Sequence, residues 1–158
     1  MKASELIRIA AFAVLGAFLV FFLQPWLYQN QILFMSDQTV DTWLTDAYMP
    51  GARLVFGVAF AATLAWYFLS AGAKILIGKD TSLWQVLWWM ILLAPVLAIC
   101  AALAFFNNSQ DALLTLTSLY IVDVVLLFWL PTATSSPLAT KFLPPGSFFL
   151  RRLFEPDG

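Results

Sequence analysis

The chain has 158 residues, of which 62 % are hydrophobic and 11 % are charged, with a formal net charge of −1. A soluble domain typically has about 45–50 % apolar and about 25 % charged residues, so this composition excludes an ordinary soluble domain and indicates a membrane protein. With no histidine, a single cysteine and no basic run, the chain offers no ordinary zinc or haem site and no nucleic-acid surface, and we expect no metal, cofactor or nucleic-acid partner.

Four segments are long and apolar enough to cross a bilayer, which takes about 20 mainly apolar residues in a helix. They are residues 6–26, 53–76, 83–106 and 112–130. So many apolar segments leave too little polar sequence to cover them as buried helices of a soluble protein. The first segment follows basic residues, as a signal peptide does, but no small-residue cleavage pattern follows it, so we expect it to be retained. The sequence predicts an all-α integral membrane protein with a four-helix transmembrane bundle over residues 1–130.

The connection between the first two spans predicts a short amphipathic helix over residues 37–48. Its apolar positions follow the spacing of one helix face: Val40, Trp43, Leu44, Ala47 and Tyr48. Pro50 and Gly51 predict a turn into the second span. We expect this helix to lie flat on the outer membrane surface, either sealing the bundle or serving as a docking surface for a partner. The residues of that docking surface would be Asp37, Asp41, Trp43, Asp46 and Tyr48.

Small residues recur every four positions along the second and third spans. They are Gly57, Ala61 and Ala65 on the second, and Ala94, Ala98 and Ala102 on the third. Small residues at this spacing allow membrane helices to approach closely, although alanine is also simply common in such helices. The pattern favours a compact bundle and leaves open whether each row contacts its own chain or a neighbouring one.

The fourth span contains one ionisable residue, Asp123, within the stretch TSLYIVDVVLLFWLP. It lies about 17 Å below the outer end of that span, at 1.5 Å per residue. An ionised carboxylate near mid-membrane costs about 2.5–3.5 kcal/mol, so we expect this side chain to face the bundle or a partner. A neutral acid could both donate and accept hydrogen bonds. Candidate roles are a polar contact to Tyr120, Thr63 or Ser70, a proton or cation site, or a contact to another subunit.

The C-terminal tail, residues 131–158, begins polar and rich in proline, which predicts irregular structure. It ends in a short amphipathic segment over residues 148–154. We expect that segment to rest on anionic lipid or on a protein partner. The residues expected to make these contacts are Phe149, Arg151, Arg152, Leu153 and Phe154.

The basic residues predict the orientation. If the chain crosses four times, seven of its eight Lys and Arg residues fall on one side, and only Arg53 falls on the other. Because cytoplasmic loops carry an excess of Lys and Arg, we expect both termini on the cytoplasmic side. We expect a multi-pass protein of a bacterial inner membrane or a related energy-transducing membrane.

Sequence patterns typical of enzymes are missing, since the chain has no G-x-S-x-G elbow, no P-loop and no paired carboxylates within its spans. We therefore favour a non-catalytic accessory or structural subunit, or an assembly factor, of a larger membrane complex. Its partners would be the bilayer and other membrane proteins, in a hetero-complex or a homo-oligomer. Two alternatives stay open: a small oligomeric transporter or channel that uses Asp123, and a membrane enzyme acting on lipid or quinone.

Overall fold

The computed structural model describes residues 3–35, 39–72, 82–107, 110–135 and 142–147. All regular structure in these ranges is helical. Four helices are long and apolar enough to cross a membrane: α1 (Ser4–Gln29), α2 (Val40–Ser70), α3 (Leu83–Phe106) and α4 (Leu113–Ala133). The prediction of an all-helical chain with four apolar helices of membrane-spanning length is confirmed.

Within the described residues, three of these helices contain a wider, π-helical turn. The turns are Leu19–Leu23, Trp43–Tyr48 and Val125–Trp129. In each case the residue after the turn donates its backbone N–H to the carbonyl five residues earlier, and the next residue is a proline: Pro25, Pro50 and Pro131. Proline lacks an N–H and its ring clashes with the preceding helical turn. The wider turn accommodates the ring, and the helix continues beyond it.

The predicted turn of the chain at Pro50 and Gly51 is wrong. The helix that starts at Val40 runs through the π-helical turn directly into the segment Met49–Gly72. The expected flat surface helix is therefore the first part of α2, and Thr39 caps its start by accepting from the Thr42 N–H at 3.4 Å. The apolar face identified from periodicity is nevertheless largely buried, and it packs against the bundle: Trp43, Leu44, Ala47 and Tyr48.

The first helix is longer than predicted, because it continues past Trp26 to Gln29. This extension matters because Gln24, expected at the membrane edge, lies inside the helix and is 2 % exposed. Further along α1 towards the N-terminus, Gly16 allows close contact with α4. A Cβ atom at Gly16 would overlap the side chain of Leu127.

One end of the bundle is closed by Arg8 of α1. Its guanidinium donates to the backbone oxygen of Thr134 and to the hydroxyl of Ser135, the latter at 2.9 Å. It also pairs with Glu5 at 2.5 Å. The start of α1 therefore lies beside the end of α4, as an even number of crossings requires. Which side of a membrane this end faces stays a prediction.

Aromatic side chains fill the bundle towards the same end. Trp66 of α2 meets Trp84 of α3 edge to face, with ring centroids 6.2 Å apart. Trp88 packs against Phe128 at 5.4 Å and donates its indole N–H to the hydroxyl of Thr132 at 3.3 Å. The indole rings of Trp84 and Trp88 therefore stabilise contacts between helices.

Candidate functional site

Asp123 is buried inside the bundle, with 1 % of its surface exposed. It lies two residues before the π-helical turn of α4, and its side chain faces α1. There it meets Gln24, the first residue after the π-helical turn of that helix, with 2.6 Å between the side-chain nitrogen of Gln24 and Oδ1 of Asp123. The candidate partners were Tyr120 of α4 and Thr63 or Ser70 of α2, so the sequence interpretation missed Gln24, the residue to which Asp123 is hydrogen-bonded.

Tyr48 joins this contact from α2. Its hydroxyl lies 2.6 Å from the side-chain oxygen of Gln24 and 2.7 Å from the backbone oxygen of Val20. In the wider turn, the backbone N–H of Gln24 donates to the carbonyl of Leu19. In the same register the next residue, Pro25, would donate to the carbonyl of Val20, but proline has no N–H. A buried backbone carbonyl needs a donor, and the Tyr48 hydroxyl supplies it.

Tyr120 completes a polar cluster, which consists of Gln24, Tyr48, Tyr120 and Asp123. As expected, Tyr120 lies one turn from Asp123 on the buried face of α4. Its hydroxyl is directed to α2, where it lies 3.4 Å from the backbone oxygen of Tyr48. It also packs against Gly51, at which a Cβ atom would overlap the hydroxyl.

One polar atom of this cluster, Oδ2 of Asp123, has no hydrogen-bond partner within the described ranges. Nearby, the hydroxyl of Tyr28 interacts with the indole N–H of Trp43. The Tyr28 ring lies 5.4 Å from that of Tyr48 and 6.1 Å from that of Trp43. The cluster could therefore hold a proton or a small hydrogen-bonding molecule, and the part of the chain that the structure describes contains no group of three acidic or cysteine side chains placed to bind a metal.

Thr63 has a different role from the one expected of it. Its hydroxyl donates to the backbone oxygen of Leu127 at 2.6 Å, and Leu127 lies four residues before Pro131. Pro131 has no N–H for the carbonyls of the π-helical turn before it, and the Thr63 hydroxyl supplies a donor to that turn across the interface of α2 and α4. Ser70 is also buried, and its hydroxyl has no partner among the described residues.

Only part of the predicted docking surface is accessible. Trp43 and Tyr48 are fully buried, while Asp41 and Asp46 are exposed. Asp37 lies outside the described residues, as do all the predicted contact residues of the tail: Phe149, Arg151, Arg152, Leu153 and Phe154.

The two rows of small residues face different ways. On α3, Ala98 and Ala102 are buried and Ala94 is exposed; on α2, the whole row of Gly57, Ala61 and Ala65 is exposed. No atom lies within 4 Å of the position that a Cβ would take at Gly57. The buried face of α2 carries other small residues instead: Ala52, Ala59 and Ala62. The exposed row of Gly57, Ala61 and Ala65 is called the outward face of α2 below.

Comparisons with family models, with curated proteins and with solved structures find no match to this chain. The function is therefore inferred from the contacts of the chain itself. Two features are candidates to carry it: the buried polar cluster and the outward face of α2.

Proposed function

We propose that this protein is a non-catalytic accessory subunit, or an assembly factor, of a larger membrane complex, and that it binds a transmembrane helix of a partner protein along the outward face of α2. The observation that supports this proposal is the exposure of Gly57, Ala61 and Ala65. These residues are exposed, because the buried face of α2 lies on the other side of the helix.

Small residues matter more for association in a bilayer than in water. Lipid chains are as apolar as leucine, so burying apolar side chains gives little net driving force, and close packing of backbones contributes more. A row of small residues with open space beyond Gly57 allows such an approach. A bundle that only had to face lipid could carry large side chains there, as α2 does at Phe68 and Leu69.

The charge at one end of this face indicates the chemistry of the partner. Arg53 is exposed one turn before Gly57, about 20 Å along α2 from its start at Val40. A partner helix with small residues and an acidic side chain at the matching height would complement it. Such a surface ion pair contributes only about 0–1 kcal/mol, so it would set register and orientation while packing supplies most of the affinity.

The test is purification of the tagged full-length protein in mild detergent from the membrane in which it is naturally made. We expect a second membrane protein to co-purify at a fixed stoichiometry. Replacing Ala61 by Leu should reduce the yield of that protein, because the larger side chain separates the helices. The matched control is Ala104→Leu, which makes the same change at an exposed position of α3.

Three outcomes would contradict the proposal. The protein could purify alone as a monomer, Ala61→Leu and Ala104→Leu could have the same effect, or the only partner could be a second copy of the chain. In the last case the outward face would be a homo-oligomer interface. Circular dichroism of each variant checks that the helices are intact, so that loss of the partner is not confused with loss of the fold.

A second candidate function is proton-coupled transport. One observation favours it, which is that Oδ2 of Asp123 is buried without a hydrogen-bond partner in the described part of the chain. Intramembrane carboxyl groups often serve as proton carriers. In proteoliposomes, Asp123→Asn should then abolish a proton flux that the unmodified protein supports. An unchanged flux, or no flux with either protein, would remove this candidate.

A further inference from the structure

Three short contacts connect four groups in series inside the bundle. Oδ1 of Asp123 lies 2.6 Å from one end of the Gln24 amide, and the other end lies 2.6 Å from the Tyr48 hydroxyl. That hydroxyl lies 2.7 Å from the backbone oxygen of Val20. All four residues are at most 2 % exposed. Each contact is short enough to require a proton between its two atoms, so the series requires three donors.

An ionised Asp123 would leave this series one donor short. A carboxylate only accepts, so Gln24 would have to direct its amide nitrogen to Asp123 and its oxygen to Tyr48. The Tyr48 hydroxyl would then face two acceptors, Gln24 and Val20, with one proton. A proton shared between two acceptors gives two longer contacts, whereas both distances here are short. Two oxygens would be held together without a proton between them, which is electrostatically unfavourable.

A neutral Asp123 removes the shortage. The amide of Gln24 has two ends of nearly equal size, so it can occupy the same space turned by half a rotation. Its oxygen then accepts the proton of Asp123, its nitrogen donates to the Tyr48 oxygen, and Tyr48 donates to Val20. Three donors then match three acceptors. Fully satisfied buried networks are favourable, whereas partly satisfied ones are costly in a medium of low dielectric constant.

We propose that Asp123 is a buried proton-binding site, which carries a proton in the folded protein and donates it to the side-chain oxygen of Gln24. Among the described residues, the other titratable groups of the neighbouring helices that lie around Asp123 are phenols: Tyr28 on α1, Tyr48 on α2 and Tyr120 on α4 itself. Within the described residues, the ion pair found joins Arg8 to Glu5, and no basic side chain pairs with Asp123. The inference holds whether or not the proposed function is correct.

Release of this proton is coupled to helix packing. Once ionised, Asp123 would need a donor, and Gln24 could supply one only by turning its amide over. The turn would break its contact as donor to Tyr48 and weaken the junction between α1 and α2. Protonation of Asp123 therefore favours the packed arrangement of these two helices.

Infrared spectroscopy of the full-length protein in lipid nanodiscs at neutral pH tests the proposal. A protonated carboxyl has a C=O stretching band that is well separated from the bands of a carboxylate. We expect the unmodified protein to show this acid band, shifted by carbon-13 labelling of aspartate and by exchange into D₂O. The difference spectrum against Asp123→Asn should contain the lost acid band. The matched control, Asp111→Asn, changes an exposed aspartate and should remove only carboxylate bands.

A difference spectrum in which Asp123→Asn removes only carboxylate bands would overturn the proposal. If that variant does not fold, the labelled unmodified protein still decides the matter, because the absence of an acid band that responds to label and D₂O has the same meaning. Gln24→Met tests the acceptor. It should move the acid band to higher frequency, since the acid O–H loses its partner, and an unmoved band would show that Gln24 is not that partner.

Discussion

Two glycines of α2 differ in what a methyl group would meet, and this difference gives a sharp test of the packing. At Gly51 a Cβ atom would overlap the hydroxyl of Tyr120 and lie 3.3 Å from Cβ of Ala102. At Gly57 it would meet nothing within 4 Å. The same substitution, Gly→Ala, should therefore have opposite effects at two positions of one helix.

The magnitudes follow from two opposing contributions. Alanine in place of a helical glycine stabilises by about 0.5–1 kcal/mol, which is the whole expected effect of Gly57→Ala on the free energy of unfolding. Overpacking a close interface costs about 1–3 kcal/mol. Gly51→Ala combines both contributions, and we expect a net loss of about 1–2 kcal/mol.

The assay is reversible unfolding in mixed micelles of mild detergent and dodecyl sulfate, followed by circular dichroism and tryptophan fluorescence. A second change, Tyr120→Phe, removes the overlapping hydroxyl and loses only its long 3.4 Å contact with Tyr48. In the Tyr120→Phe background, Gly51→Ala should leave the free energy of unfolding almost unchanged. The double variant should then differ from the sum of the two single changes by about 1 kcal/mol or more. The reasoning is refuted if Gly51→Ala is at least as stable as Gly57→Ala, or if the two changes at Gly51 and Tyr120 are additive.

Three further outcomes are expected. Thr63→Val should lower the free energy of unfolding by about 1–3 kcal/mol, because the buried carbonyl of Leu127 loses its donor. The same loss of stability for Thr→Val at an exposed helical position would contradict this role. Arg8→Met should cost about 3 kcal/mol in the same assay, since the buried carboxylate of Glu5 loses its ion pair and Ser135 loses one of its hydrogen bonds. A neutral result would show that this end of the bundle closes by other contacts. Cys100 is exposed on α3, so we expect it to face lipid. A membrane-impermeant maleimide should therefore label it after denaturation but not in sealed vesicles. Labelling in vesicles would contradict a position within the bilayer.

Length and hydropathy were sufficient to predict the four helices, and periodicity identified most of the buried face around Trp43 and Tyr48. Both signals are local, since each depends only on residues within a few turns of one another. The continuation of α2 through Pro50 was not predictable in this way. It depends on a change of hydrogen-bond register that widens one helical turn. In the sequence alone, a proline at this position is equally compatible with the end of a helix.

The partner of Asp123 was missed for a different reason. Burial of a carboxyl inside the bundle follows from the cost of exposing it to lipid, but that cost does not say which neighbouring helix supplies the partner. Gln24 was the available signal, since an amide followed by Pro25 stands next to a long apolar stretch. It was expected at the membrane edge because apolar length alone ended the first span at residue 26, whereas the helix continues to Gln29.

The π-helical turn of α1 also determines what happens when one residue is removed from that helix. Ile9 and Tyr28 are both buried and face the interior five turns apart. Five turns of regular α-helix take about 18 residues, which is one fewer than the separation of this pair. In α3, which has no such turn among its described residues, Trp84 and Ala102 have the regular separation. The turn thus absorbs one additional residue without changing the phase of the helix. Deleting a single amino acid from Leu19–Leu23 would therefore return α1 to the regular spacing with its buried side chains still in phase, whereas inserting one there would rotate the downstream half of α1 by about 100° and carry its polar side chains out of the interior.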